Sequence, residues 1–410
     1  MKRIFYGWLI CAACTLLIFI SMGMVSNGFS VFMPFIMERY GLTNAQTSSL
    51  VTLRCLVVLL AMLTTGVYYD RLGMRLGTAL AAGFAGVAYL CYAFGRSYPL
   101  FGVGAAISGL SYGFGSMIPA SILMSRWFVR HRALALGICS AGSGVATIVL
   151  PGLFTWLVER LGLTAGFQAG CGMIFTGAAL IFLIIREEPS ALGLVRLGEE
   201  AADEGETSKK NAPVPGPGRN MSPGVWVIMI AACLFMGGVG SPGFNHLTVL
   251  LSGEGFDPVH VALLFSVLGV TLTVGKILFG QYTDRAGGFR STLLFGAVLL
   301  GGFGLSCLSF LRSLPLGMAA ALAIGMGYPI ATVGPSIWAG DLSEPERFPV
   351  TVRRLQVCYA LGSLLFSGMP GILADRLGSY VPAYGIFTAQ IAVVLLFVVW
   401  SYRRTLRRPA

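Results

Sequence analysis

Apolar stretches recur along the chain with short polar breaks between them, and each is about the 20 residues that a helix needs to cross roughly 30 Å of hydrocarbon. They predict helices near 7–36, 47–68, 77–95, 98–125, 133–158, 163–185, 223–250, 258–281, 291–311, 315–340, 353–374 and 381–402. The pattern lapses over one long interval. From Glu187-Glu188 through Glu199, Glu200, Asp203, Glu204 and Glu206 to Pro213-Val-Pro-Gly-Pro-Gly218 the chain is acidic, then rich in proline and glycine. That composition does not pack a core. The expected organisation is a six-helix bundle over 1–186, a flexible linker over 187–222 and a second six-helix bundle over 223–410. The expected fold class is an all-α membrane protein with twelve transmembrane helices.

The two bundles repeat one another. Gly66-x3-Asp70-Arg71-x-Gly73-x-Arg75 returns as Gly280-x3-Asp284-Arg285-x-Gly287-x2-Arg290, with Asp284 placed 214 residues after Asp70. Gly109-x2-Tyr112-x6-Pro119 returns as Gly325-x2-Tyr328-x6-Pro335 at an offset of 216, and Glu159-Arg160-Leu161-Gly162 as Asp375-Arg376-Leu377-Gly378 at the same offset. A fixed offset at three depths marks a duplicated unit. Related halves around a cavity are the architecture of secondary transporters, so the bundles are expected to be pseudo-symmetric.

Composition strengthens this picture. Of 410 residues, 56% are hydrophobic and 11% charged, and the mean hydropathy is +0.79. A soluble domain carries about a quarter charged residues, so lipid is the expected solvent. The net charge of +11 does not indicate nucleic acid, because the cations lie in short clusters between apolar runs. With twelve spans both termini fall on one side, and 21 of the 28 Lys+Arg lie there. Five face the other side: Arg39, Arg96, Arg160, Arg312 and Arg376. The positive-inside rule then makes both termini and the linker cytoplasmic in a multi-pass cytoplasmic (inner) membrane protein. Met1-Lys2-Arg3 precedes an apolar run too long for a signal peptide, so it is read as the start of an uncleaved first helix.

Two cations remain inside spans, Arg54 and Lys276, and all 17 acidic residues fall in loops or at helix ends. The nine cysteines sit in apolar segments and read as small hydrophobes, with no metal or disulfide role. No H-E-x-x-H or Walker loop occurs, so the chain is expected to be neither an enzyme nor ATP-driven, and to use no cofactor.

Twelve spans, a central linker and the paired Gly-x3-Asp-Arg loops together resemble the major facilitator superfamily over essentially the whole chain. Tyr6-Gly7-Trp8 and the loop Arg126-Trp127-Phe128-x-Arg130-His131-Arg132-x2-Ala135-x-Gly137-x3-Ala141-Gly142 resemble its monocarboxylate porter and oxalate:formate exchanger branch. The resemblance implies a secondary transporter that moves a small monocarboxylate, lactate or pyruvate in kind, by proton symport and alternating access. Exchange of one organic anion for another stands beside it, because the spans hold no carboxylate. Efflux of another small molecule, such as an amphipathic cation, is disfavoured because both charges in the spans are positive. The partners expected are a small organic anion, protons and the lipid bilayer, with no nucleic acid, and the protein is expected to work as a monomer.

Lys276 is the leading substrate-binding candidate. It lies eight residues before Asp284, about 12 Å along a helix and so near the midplane. An ionisable group there is functional by default, the bland alternative being a stem that snorkels to the headgroups. The resemblance implies an arginine at this position holding the substrate carboxylate, and here a lysine stands in its place. It also implies an aspartate four residues earlier, where this chain has Leu272. Coupling is therefore left to His246, to the lysine itself, to the protonated substrate or to exchange of one anion for another. His246 follows the helix-breaking run Gly237-Gly-Val-Gly-Ser-Pro-Gly243 and is of a type that changes charge near neutral pH.

The remaining substrate-binding candidates are Tyr112 and Tyr328, equivalent in the repeat, Asn27 beside Ser26 on the first span, and Cys358 and Tyr359 on the eleventh. The resemblance implies a cytoplasmic latch at Asp70 and, in the repeat, Asp284, with Arg71, Arg75 and Arg285 as neighbours in the gate. Locally, Asp70 is expected to pair with Arg71 or Arg75 or to cap a helix N-terminus. Arg130, His131 and Arg132 read as a topology signal. Arg54, 16 residues before Asp70, is grouped with the gate, either snorkelling outward or attracting anions at the mouth.

Overall fold

The structure is a computed structural model that describes residues 5–199 and 221–406. Among the described residues, eleven helical segments are long and apolar enough to cross a membrane. One of them, Ser49–Phe94, has 46 residues and would be about 69 Å long, far beyond one crossing. It is two helices joined at Gly73, whose backbone (φ 70°, ψ 169°) is not helical. Twelve membrane helices result, each broken or capped where its sequence demands it. In the N-terminal half they are α1 Tyr6–Tyr40, α2 44–72, α3 74–94, α4 Tyr98–Trp127, α5 Arg132–Leu161 and α6 Leu163–Ile184. In the C-terminal half they are α7 Pro223–Gly243, α8 Pro258–Ala286, α9 Gly288–Ser306, α10 Leu314–Thr332, α11 Phe348–Leu377 and α12 Val381–Leu406.

Local chemistry sets the ends. Thr43 caps α2 by accepting from the Gln46 N–H, while the Gln46 side chain accepts from the Thr43 N–H, a capping box. Proline occupies the first turn of α4, α7, α8, α10 and α11, where its missing N–H removes no helical bond. The expected loop 69–76 between the second and third spans shrinks to the Gly73 pivot, because the residues on either side of it continue the helices rather than unwind them. Gly287 in the repeat copy has nearly the same backbone, φ 82° and ψ 158°, so the duplicated motif is duplicated in conformation.

The chain divides into two compact units, Met1–Glu206 and Thr207–Ala410. In the first, α1 packs on α5 and α6, while α2 and α3 pack on α4 and α6. In the second, α7 packs on α11 and α12, α8 and α9 on α10, and α9 on α12. The pairing scheme is the same in each. Small residues make it possible: a Cβ on Gly237 of α7 would collide with the Tyr359 carbonyl of α11, and one on Gly362 of α11 with the Leu234 carbonyl of α7. Close backbone approach is how membrane helices gain packing without a hydrophobic driving force.

The start of the presumed linker is folded. Residues Pro189–Leu192 form a 3-10 turn. Leu197 then pairs with the α4–α5 loop, its N–H donating to the Trp127 carbonyl and its carbonyl accepting from Val129 and Arg130. The reading of 187–199 as flexible chain is thus corrected: leucines and glycines there dock on a ready backbone edge. Residues 200–220, the rest of that expected linker, lie outside the described residues.

Gly73 supplies the first test. Gly73→Ala places a Cβ in the left-handed region and against the Glu187 carboxylate, and should lower stability by about 1–2 kcal/mol. Gly83→Ala, where a Cβ meets open space, should be neutral. Thermal unfolding of the two variants side by side checks this, and equal midpoints would refute the strained pivot.

Candidate functional site

Helices α1 and α7 are the irregular members of their bundles. In α1 the residues Phe19–Gly28 form a π-helix, and in α7 so do Val239–Gly243. Pro242 has no N–H to donate, and Gly237, Gly238, Gly240 and Gly243 weaken what remains. A π-helix pairs residues five apart rather than four, and its wider turn leaves carbonyls open to further donors.

The donors are side chains. In the C-terminal bundle the Tyr328 hydroxyl of α10 donates to the Gly240 carbonyl, and the Tyr384 hydroxyl of α12 to the Gly243 carbonyl at 2.6 Å. Tyr359 of α11 also stands at Gly240, since a Cβ there would meet its hydroxyl. Three helices therefore converge on the break in α7 through tyrosines. In the N-terminal bundle Tyr89 of α3 donates to Met24 at 2.8 Å, and Arg54 Nη1 to Val25 at 2.7 Å.

Lys276 lies on α8 and is 1% exposed. Beside it Gly275 brings α8 against the backbone of Gly325 and Met326 in α10, so Lys276 and Tyr328 belong to one tightly packed helix pair. Leu272, one turn earlier, is buried. Burial at this depth costs an ammonium about 2.5–3.5 kcal/mol on insertion scales, and a side chain 1% exposed does not snorkel into solvent.

The other expected residues separate. His246 is half-buried at the resumption of helix after the break; its Nδ1 lies 2.9 Å from the Pro242 carbonyl and its ring stacks on Tyr380 at 6.1 Å. A carbonyl only accepts, so this contact is a hydrogen bond in the form of the ring that carries a proton on Nδ1. Asn27 donates to Thr147 of α5 at 2.7 Å, and Ser26 accepts from Ser30 through its carbonyl. Cys358 is partly buried on α11. Tyr112 is not the mirror of Tyr328, because it makes no hydrogen bond among the described residues while Tyr328 holds the α7 break.

Two expectations are corrected. Arg54 does not snorkel outward: it is 8% exposed and donates to the Val25 carbonyl in the π-helical part of α1. Asp70 does not pair with Arg75. Arg75 donates to the Phe182 carbonyl at 2.8 Å and stacks over the Phe182 ring, and the α3 N-terminus is capped by Glu187, whose Oε1 accepts from Met74 at 2.8 Å. Arg126 lies 3.9 Å from the same carboxylate. Asp70, Arg71 and Arg285 are exposed and Asp284 is half-buried.

Sequence reasoning passed over Tyr89, Tyr384 and Glu187. At the repeat offsets Tyr89 faces Phe303 and Tyr384 faces Gln168, so no hydroxyl repeats, and Glu187 was absorbed into the linker. The two signature motifs, by contrast, meet in space. Trp8 packs on Phe128 with centroids 5.0 Å apart and Tyr6 on Trp127 at 5.7 Å. Tyr6 and Trp127 also donate to the Ile184 and Arg186 carbonyls at the end of α6.

Two pseudo-repeated bundles with broken first helices and a buried intramembrane cation are a transporter architecture, and the family model for the Major Facilitator Superfamily matches residues 13–367. The chain belongs to that superfamily. Within it the chain resembles the monocarboxylate porter branch: it is 24% identical to Monocarboxylate transporter 12 of Rattus norvegicus over 92% of this chain and 82% of that protein. It is 26% identical to Monocarboxylate transporter 10 of Homo sapiens over 70% of this chain and 57% of that one. Among solved structures, the proton:xylose symporter XylE bound to 6-bromo-6-deoxy-D-glucose aligns with a TM-score of 0.72 at 15% identity, covering 96% of this chain and 95% of that one. The transporter FucP in the outward conformation aligns at 0.69 and 13% identity, covering 97% and 99%. These structures share the fold.

The tyrosine clamp is testable without a substrate. Tyr384→Phe leaves the Gly243 carbonyl in hydrocarbon without its donor, which should cost about 1–3 kcal/mol. Thermal unfolding in detergent should show the loss, and no shift in midpoint would mean that the break in α7 is held by other contacts.

Proposed function

We propose that the protein is a secondary transporter of a small monocarboxylate, lactate or pyruvate in kind, with Lys276 as the countercharge of the substrate carboxylate. The single observation that carries the reading is the burial of Lys276 on α8, in a chain whose relatives include proteins named monocarboxylate transporters. An ammonium in hydrocarbon is a point charge with three donors, and a carboxylate entering beside it replaces lost hydration. Tyr328, Tyr359 and Cys358 in the same bundle and Tyr112 and Asn27 in the other are proposed to line the substrate path. Alternating access follows from the superfamily architecture, with the breaks in α1 and α7 as the flexing points. Asp70 and Asp284, with Arg71, Arg75 and Arg285, form the cytoplasmic gate. The protein is placed in the cytoplasmic membrane as a monomer with both termini in the cytoplasm.

Proton symport is the preferred coupling. His246 supports it through its place at the end of the break in α7, where Nδ1 meets the Pro242 carbonyl. Exchange of organic anions is the second reading, and Leu272 favours it, since it puts an apolar side chain where the branch implies a carboxylate.

Lys276→Gln should abolish uptake of labelled lactate and pyruvate into proteoliposomes while the protein stays monodisperse and folded, and Lys276→Arg should retain part of it. Wild-type rates in Lys276→Gln would remove the proposed site. Coupling is read by a second assay that compares uptake driven by an imposed pH gradient with uptake driven by preloaded anion. Symport through His246 predicts that His246→Gln loses the first and keeps the second, whereas Asp70→Asn slows both alike. Acceleration of the wild type by preloaded anion alone would establish exchange instead.

A further inference from the structure

Lys276 has a role in the reading above, but the other intramembrane cation has none beyond a backbone contact. Arg54 is 8% exposed on α2, and a guanidinium at that depth is costly and rarely retained without a charge to meet. It makes one hydrogen bond, to the Val25 carbonyl. No acidic side chain pairs with it, and no second acceptor bonds it, among the described residues. A guanidinium carries five N–H donors in a planar fork. One is used, and a neutral carbonyl does not balance a unit positive charge.

The neighbours add donors rather than countercharge. Tyr89, Tyr92 and Tyr112 stand within electrostatic reach of Arg54. The Tyr89 hydroxyl is engaged by Met24 and that of Tyr92 by Ser108 at 3.4 Å, while Tyr112 makes no hydrogen bond among the described residues. Around Arg54 the N-terminal bundle thus presents a fixed cation, unmatched N–H groups and a phenol with its proton to give.

We propose that Arg54, with the Tyr112 hydroxyl, forms a binding site within the N-terminal bundle for a planar oxyanion, a carboxylate or bicarbonate. The anion lies on the guanidinium edge that Val25 does not use. The planar fork matches two coplanar oxygens bidentately, a geometry that an ammonium does not offer. The site is made of N-terminal-bundle residues alone, so it holds whether or not Lys276 binds the transported substrate. Two sources share the chemistry, the transported monocarboxylate and a resident bicarbonate.

The test is equilibrium binding of radiolabelled lactate, acetate, bicarbonate and chloride to the full-length protein in nanodiscs, in a Lys276→Gln background that removes the other cation. Binding is read rather than uptake, so loss of transport in that background leaves the test intact. The proposal expects one saturable site per chain for a planar oxyanion, weakened at least tenfold by Arg54→Gln and several-fold by Tyr112→Phe. Arg54→Lys keeps the charge and removes the fork. It should therefore weaken the oxyanion about tenfold and chloride less than threefold, and it serves as the readout where Arg54→Gln does not fold. The proposal is overturned if the Lys276→Gln protein binds no planar oxyanion, if Arg54→Gln binds it as tightly, or if Arg54→Lys weakens oxyanion and chloride equally. With the site confirmed, uptake of the bound anion by wild-type proteoliposomes marks it as substrate, and binding without uptake marks it as resident.

Discussion

Every backbone N–H and C=O within hydrocarbon has to be satisfied by the protein itself, and that constraint organises the chain more than any single charge does. Regular helices meet it locally. Helices α1 and α7 add to it at their π-helical segments, where the carbonyls of Met24, Val25, Gly240 and Gly243 accept from side chains. Each of these carbonyls meets a polar side chain from another helix in the apolar interior. Tyr89, Arg54, Tyr328 and Tyr384 are thus buried polar groups with a partner at the irregular part of α1 or α7. A helix held by one or two side-chain bonds at its break changes shape more cheaply than one held by a full ladder.

The same accounting explains the end of the N-terminal bundle that carries its chain terminus. Helix α3 starts at a glycine and exposes N–H groups, and Glu187 supplies the acceptor. Helix α6 ends in carbonyls that Arg75, Tyr6 and Trp127 take up. In the C-terminal bundle an acid also stands at the corresponding helix start: Asp341 lies beside Gly288 at the start of α9 and accepts from Tyr402 of α12. At the repeat offset Asp341 corresponds to Ser125, so the acid reaches equivalent helix starts from unrelated places. Duplication preserved the backbone requirement, and each half met it independently.

That difference marks what the amino-acid sequence discloses. The spans, their number and the Gly73 and Gly287 turns follow from hydropathy and from repeated glycines, because bilayer thickness and backbone sterics act on one residue at a time. Lys276 was legible for the same reason: an ionisable residue in an apolar run is conspicuous wherever its side chain points. The target of Arg54 was not. Its position along the helix is compatible with snorkelling, and only the neighbouring break in α1 turns it inward. Tyr89 and Tyr384 look like ordinary packing aromatics until the carbonyls they serve are known. Residues 187–199 misled through composition, since docking on the edge at Trp127 and Val129 requires only backbone groups.

The pairing of helices is nearly the same in the two bundles, so the departures from symmetry are informative. Arg54 corresponds at an offset of 214 to Leu268, and Lys276 to Met62, both buried and apolar. Each bundle holds one cation, on a different turn of corresponding helices α2 and α8, and each cation has a hydrocarbon side chain as its counterpart. A scaffold in which charge served packing or topology would have no reason to differ in this way. A duplicated scaffold that handles a small asymmetric ligand does have one, because equivalent positions then face different ends or different stages of the ligand's path. The choice of side chain carries the same asymmetry. A lysine offers a mobile point charge that releases its partner easily, and an arginine offers a rigid fork that orients it. A chain that gives each bundle one of these, on different turns of corresponding helices, keeps its two halves chemically distinct while their backbones stay alike.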